Sequence, residues 1–270
     1  MRTSQFTQAV VVLATASQSF AQTFSKCDPT KKTGCANNPA LPASLDSDFG
    51  AATIPPNWIK IESQGSITKE NGASSFIVGK QNDSPTADTT GYALFGSFSV
   101  EMKAAPGVGI VSSIVLESDN LDEVDWELIG GNNTHIQTNY FGKGDTSTYD
   151  RAVWHPIADP QANFHTYTVT WTQDKILWII DDVVVRSLAY KDAKGGSRFP
   201  QTPMRLRLGS WAGGDPTNGQ GTIEWAGGKT DFSKAPFAMV VRRVSITNYS
   251  PGKEYQWTDQ SGSFDSIKVV

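Results

Sequence analysis

The chain has 270 residues, 38% hydrophobic and 19% charged, which suits a soluble globular protein with one large core. Its net charge of −4 argues against nucleic acid as a partner.

The opening Met1-Arg2 leads into Ala9-Val10-Val11-Val12-Leu13-Ala14 and then small residues ending Ser19-Phe20-Ala21. A basic start, a short apolar run and a small-residue cleavage site predict a secretory signal peptide over residues 1–21. The alternative is a buried N-terminal helix; the run is too short to span a membrane. Residues 22–270 are expected to form one domain, since no repeat, linker or low-complexity tail interrupts them. Cys27 and Cys35 are the only cysteines, and in an oxidising compartment they are expected to pair and pin the N-terminal loop. Two thiols with no nearby His make a poor zinc site. Asn82, Asn132 and Asn248 each begin an Asn-x-Ser/Thr sequon, consistent with surface glycosylation.

From here the chain reads as strands. Phe76–Val78, Ser97–Lys103, Gly109–Leu116, Asp122–Leu128, His135–Phe141, Tyr167–Trp171 and Lys175–Ile180 come first. Asp181-Asp182 then turns into Val183–Arg186 as a hairpin. Met204–Leu208 and Ala238–Val244 complete the set. Gly and Pro punctuate between them, and no amphipathic helix of any length stands out. Short strands with no helix between them predict an all-β, antiparallel sandwich.

Within this series, Asp122-Glu123-Val124-Asp125-Trp126-Glu127-Leu128 is unusual. Strict alternation puts Val124, Trp126 and Leu128 on a core face, and Glu123, Asp125 and Glu127 on the other with no cation in the stretch. Like charges that close repel, so at least one carboxyl should hold its proton to high pH. A glycosidase uses such a pair, one carboxylic acid protonating the leaving oxygen while a second carboxylate attacks the sugar. Four residues of strand span about 13 Å. A retaining pair needs about 5–5.5 Å, so the two Glu side chains must lean together. Asp125, between them, is placed to tune the nucleophile. The alternative is an acidic, solvated edge face.

Trp211 and Trp225 sit in Gly-rich stretches, Gly209-Ser210-Trp211-Ala212-Gly213-Gly214 and Glu224-Trp225-Ala226-Gly227-Gly228. They are candidate sugar platforms, with ordinary core packing the alternative. Trp171 and Trp178, both mid-strand, read as core. Gln137 and Asn139 share one strand face and can hydrogen-bond sugar hydroxyls if that face continues the cleft. The three histidines are scattered, so neither a Ser-His-Asp triad nor a histidine metal motif emerges. No Gly-rich phosphate loop follows a strand. Loop ligands for calcium leave no firm signature either way.

The acidic motif resembles the E-x-D-x-E signature of glycoside hydrolase family sixteen. Gln137-Thr138-Asn139-Tyr140-Phe141, Phe164-His165-Thr166-Tyr167, Pro203-Met204-Arg205-Leu206 and Lys229 through Phe237 resemble segments of its transglycosylase branches. The N-terminal cysteine pair and Ser112 through Ser118 resemble the fungal Crh-type cell-wall enzymes. The resemblance implies a β-jelly-roll with a concave substrate cleft. It implies Glu123 as nucleophile, Asp125 as auxiliary acid and Glu127 as general acid/base, with no cofactor and no metal. It also implies a chitin donor and a β-1,3/β-1,6-glucan acceptor, joined with retention of configuration. The enzyme would be secreted to the cell wall, as a monomer. An acceptor sugar must beat water at about 55 M, and well-oriented partners reach effective molarities of about 10⁵ M and above. Tyr140, Arg205 and Trp225 are the candidates for that acceptor side. The resemblance leaves two other readings, a plain endo-β-glucanase or chitinase, and a lectin-like jelly roll. Lipid anchorage would require a C-terminus beyond Val270.

Overall fold

The computed structural model describes residues 25–61 and 64–270. The predicted signal peptide lies outside the described residues. In chain order the strands are β1 (Asn38–Pro39), β2 (Ser44–Asp48), β3 (Trp58–Lys60), β4 (Ser66–Glu70), β5 (Ala73–Val78), β6 (Thr86–Thr89), β7 (Gly96–Lys103), β8 (Ile110–Ser118) and β9 (Glu123–Ile129). They continue as β10 (His135–Phe141), β11 (Val153–Pro156), β12 (His165–Trp171), β13 (Lys175–Ile180), β14 (Val183–Ala189), β15 (Met204–Ala212), β16 (Phe237–Asn248), β17 (Glu254–Trp257) and β18 (Ile267–Val269). A short helix, α1 (Gln220–Trp225), sits between β15 and β16.

Two antiparallel sheets form the jelly roll predicted from the strand pattern. One has the order β11-β10-β9-β8-β15-β6-β3, and the other β14-β13-β12-β7-β16-β5-β4, with β2 also on β16. Alternating burial along β7 shows one face turned to the core. The core between the sheets holds Trp126, Tyr167, Trp171 and Trp178, all fully buried. Trp126 and Tyr167 meet edge-on across it, ring centroids 5.7 Å apart. Trp171 and Trp178 are core residues, as their mid-strand positions predicted. At the β13–β14 hairpin, Asp181 and Asp182 take φ of 47° and 68°. That left-handed pair matches the strand twist.

β1, β17 and β18 form a small third sheet that ties the two ends of the described chain together. Cys27 and Cys35 are joined as a disulfide beside it. Asn248 corrects one sequon. It is 3% exposed, and its amide donates to the Leu41 carbonyl and the Tyr255 hydroxyl at 2.9 Å each, leaving no room for a glycan. Asn82 is exposed, and Asn132 is partly so.

Candidate active site

The site is a lattice of side chains on the open face of the β11-to-β3 sheet. Residues directly opposite one another on paired strands share a face. Glu127 faces Gln137 of β10 on one side and Ser113 of β8 on the other. Asp125 faces Asn139 and Val115; Glu123 faces Phe141 and Glu117. One strand further, Arg205 lies beside Glu117, Arg207 beside Val115, and Gly209 beside Ser113. The sheet therefore gathers five carboxyls, including Asp88 beside Arg207, onto one face.

Each catalytic candidate has its own surroundings. Burial first, then the negative charges of Asp125 and Glu117, pushes Glu123 well above the ordinary carboxylate range, and Arg207 pulls back. Asp125, 2% exposed, is raised by burial and then by the charge of Glu127. Burial pushes Glu127 up to about 8, against the Ser113 hydroxyl, which donates to its Oε2 at 2.6 Å. Trp211 Nε1 in turn donates to Ser113 Oγ at 3.3 Å. With Oε2 accepting from Ser113, Oε1 is the oxygen free to carry the proton of Glu127. Behind the strand, Trp178 Nε1 donates to the Asp125 carbonyl at 3.1 Å, so a core residue of the opposite sheet fixes the backbone of the motif.

Asp122, the first residue of the acidic stretch, faces away from this cluster. Its carboxylate accepts from the backbone nitrogens of Lys143, Gln201 and Thr202 and from the Thr202 hydroxyl, all within 3.1 Å. It is a structural tie between loops.

The stretch itself holds no cation, but the fold supplies one from about 80 residues away. Arg207 grips Asp88 with two bonds of 2.8 Å, from Nε and Nη2, and reaches Glu117 Oε2 at 2.8 Å with Nη1. Arg207, Asp88 and Glu117 are each at most 1% exposed. Arg205 flanks the pair, 3.6 Å from Asp88 and 3.7 Å from Glu117, with its guanidinium over the Tyr92 ring. Its charge is thus already engaged at the Glu117 end, which corrects its expected place beyond the acid. On the other flank Arg186 donates to the Thr138 carbonyl and hydroxyl and stacks on Trp178.

The aromatic candidates divide. Tyr140 faces Val124, on the core side, and is 6% exposed between Arg151 and Arg186. It is a core residue and not a cleft residue. Trp211 lies within β15, which runs on through Gly209 to Ala212, and is only 7% exposed. Instead of offering a platform it backs Trp225, stacked at 6.0 Å with a 24° tilt. Trp225, half-buried at the end of α1, donates from Nε1 to Gln137 Oε1 at 3.1 Å. Gln137 and Asn139 share one strand face, as their spacing predicted, and it is the face that carries Glu127 and Asp125. Sequence reasoning missed Ser113, Glu117, Asp88 and Arg207. Parity along β8 and β15 was the available signal for their facing, but their partners are set only by strand order.

A β-sandwich with this cluster on an open sheet defines a carbohydrate-active jelly roll. The chain belongs to glycoside hydrolase family 16, whose profile matches residues 56–227. Crh-like protein 5 of Aspergillus fumigatus is 57% identical, over 92% of this chain and 62% of that protein. Crh-like protein 2 of Botryotinia fuckeliana is 55% identical, over 93% and 55%. The chain thus spans roughly three-fifths of the length of these curated relatives. The structure is similar to that of a Crh5 transglycosylase in complex with NAG, with a TM-score of 0.87 and 56% identity over 91% of this chain and all of that one. A Bacillus licheniformis β-glucanase shares the fold at a TM-score of 0.63 and 22% identity, over 77% of this chain and 99% of that one.

Proposed function

We propose that this protein is a retaining transglycosylase that cuts chitin and passes the cut chain to a β-1,3- or β-1,6-glucan acceptor in the fungal cell wall. The observation that carries the reading is the Glu123–Asp125–Glu127 row, with both glutamates accessible on one open face. Glu123 attacks the anomeric carbon. Asp125, beside it on the same face, tunes the charge of Glu123 during attack and departure. Glu127 delivers the Oε1 proton to the leaving oxygen, then takes one from the acceptor hydroxyl. Cys27–Cys35 fits an exported protein, and residues 1–21 are its proposed signal peptide. The Crh-type relatives and the NAG-bound neighbour support the choice of donor.

The direct test incubates the protein with chitin oligosaccharide and a fluorescently labelled glucan. Labelled hybrids seen by mass spectrometry are the expected result. Shortened chitin without hybrids would instead mark a hydrolase. The second test is pH. A general acid must carry its proton, so kcat/KM should fall as pH rises through about 8, where Glu127 ionises. The acid limb should lie above the ordinary carboxylate range, because Glu123 is raised. Stability follows the same group. Glu127 is raised in the fold relative to the open chain, so its contribution is full below about 4.5 and is lost as pH rises through about 8. Glu127→Gln should therefore melt a few degrees higher than the parent above that pH. An unchanged alkaline limb and an unchanged melting difference across pH would remove Glu127 from the acid role.

A further inference from the structure

One exposed aromatic on the open face has no part in the chemistry above. Trp154, on the edge strand β11, is directly opposite Gln137 of β10, which is opposite Glu127 of β9. The three side chains therefore share a face. Among the described residues, no ring contact and no side-chain hydrogen bond involves Trp154, and 43% of its surface is exposed. An indole left uncovered beside a row of carboxyls is an unusual use of a residue that normally buries most of itself.

Its neighbours outline a lane across the strands. At the level of Glu127 the lane is bordered by Trp225, tied to Gln137, and then by Trp154. At the level of Glu123 it is bordered by Phe141, whose ring meets Tyr149 at 6.3 Å and Arg151 at 4.5 Å. Between these borders lies Asn139, beside Asp125, with a partly exposed amide. Aromatic borders and an amide floor suit pyranose rings, which have apolar C–H faces and hydroxyl rims. Two strand spacings put the Trp154 backbone about 10 Å from that of Glu127, the reach of about two pyranose units.

We infer that Trp154 is a saccharide platform at the outer end of the cleft, where a ring about two units from the bond being cut stacks on the indole. The inference deepens the proposed transglycosylase reading and rests on it. A β-linked N-acetylglucosamine chain and a β-glucan chain offer the same C–H face, so the test must distinguish donor from acceptor.

The experiment is calorimetric titration of the turnover-blocked Glu123→Gln protein with the N-acetylglucosamine hexasaccharide and, separately, the β-1,3-glucan hexasaccharide. Adding Trp154→Ala should weaken one of these by about tenfold, while Trp154→Phe keeps affinity within about threefold. Loss on the chitin arm makes Trp154 a donor platform, and loss on the glucan arm makes it an acceptor platform. Unchanged affinity for both, or no binding of either to the Glu123→Gln protein, overturns the inference. Turnover is measured separately with Glu123 intact. Its absence overturns the transglycosylase reading, while the titration still decides the platform.

Discussion

Glu123→Gln should abolish transfer and hydrolysis together, by about 10⁴-fold or more, since Asp125, Glu117 and Asp88 are buried and Glu127 serves as the acid. The fold should survive, because the change removes a charge from a crowded carboxyl cluster and keeps the side-chain shape. Glu127→Gln should behave differently. With an unactivated sugar leaving group it loses the proton donor and turnover collapses. With a donor whose aryl leaving group departs without protonation, the first step should still run. The acceptor then lacks its base, so the covalent glycosyl–enzyme accumulates. Intact-protein mass spectrometry would show the added glycosyl mass in Glu127→Gln and none in Glu123→Gln. An adduct in the Glu123 variant, or near-normal turnover, would overturn the assignment of the nucleophile.

The second large effect is expected away from the reacting atoms. Arg207→Leu leaves Asp88 and Glu117 buried without their main cation, and breaking such a pair costs about 3–5 kcal/mol. Arg205, 3.6 Å from Asp88, offsets part of this. Denaturant unfolding should show the full loss at pH 8 and a smaller one at pH 5, where the stranded carboxyls can take up protons. Arg207→Lys should recover little, because an ammonium cannot reproduce the two-pronged grip on Asp88. Arg207 also pulls Glu123 downward. Its loss should therefore move the acid limb of activity to higher pH, a shift that a purely structural lesion would not cause. A variant as stable as its parent would show that the cluster is already neutralised by protons.

Much of this site could be read in the sequence because a strand has a period of two. That period put Glu123, Asp125 and Glu127 together, and put Gln137 beside Asn139. It also excluded Tyr140, whose parity along β10 is that of the core; its place in a family-like segment outweighed the periodicity. Trp211 was misread for a local reason. Gly209 looked like the end of a strand, whereas β15 is a central strand that continues past it. Strand order escaped the sequence reading. Pairing β15 with β8 brings Arg207 to Glu117 across some 90 positions, and no local pattern encodes that. Trp154 was hidden because Val153–Pro156 is a four-residue edge strand ending in proline, too short to show alternation.

The hydrogen bond from Trp178 to the Asp125 carbonyl has a consequence for how such an enzyme could diversify. The strand bearing the candidate reactive groups is held in the cleft by its two neighbouring strands and, from behind, by an indole planted in the other layer. Substitutions around Trp178, remote from any sugar, would raise or lower Asp125 relative to its two neighbours. Variation in the choice between water and a sugar acceptor would then arise on the far side of the sandwich. A random-mutagenesis search confined to the cleft would miss those positions.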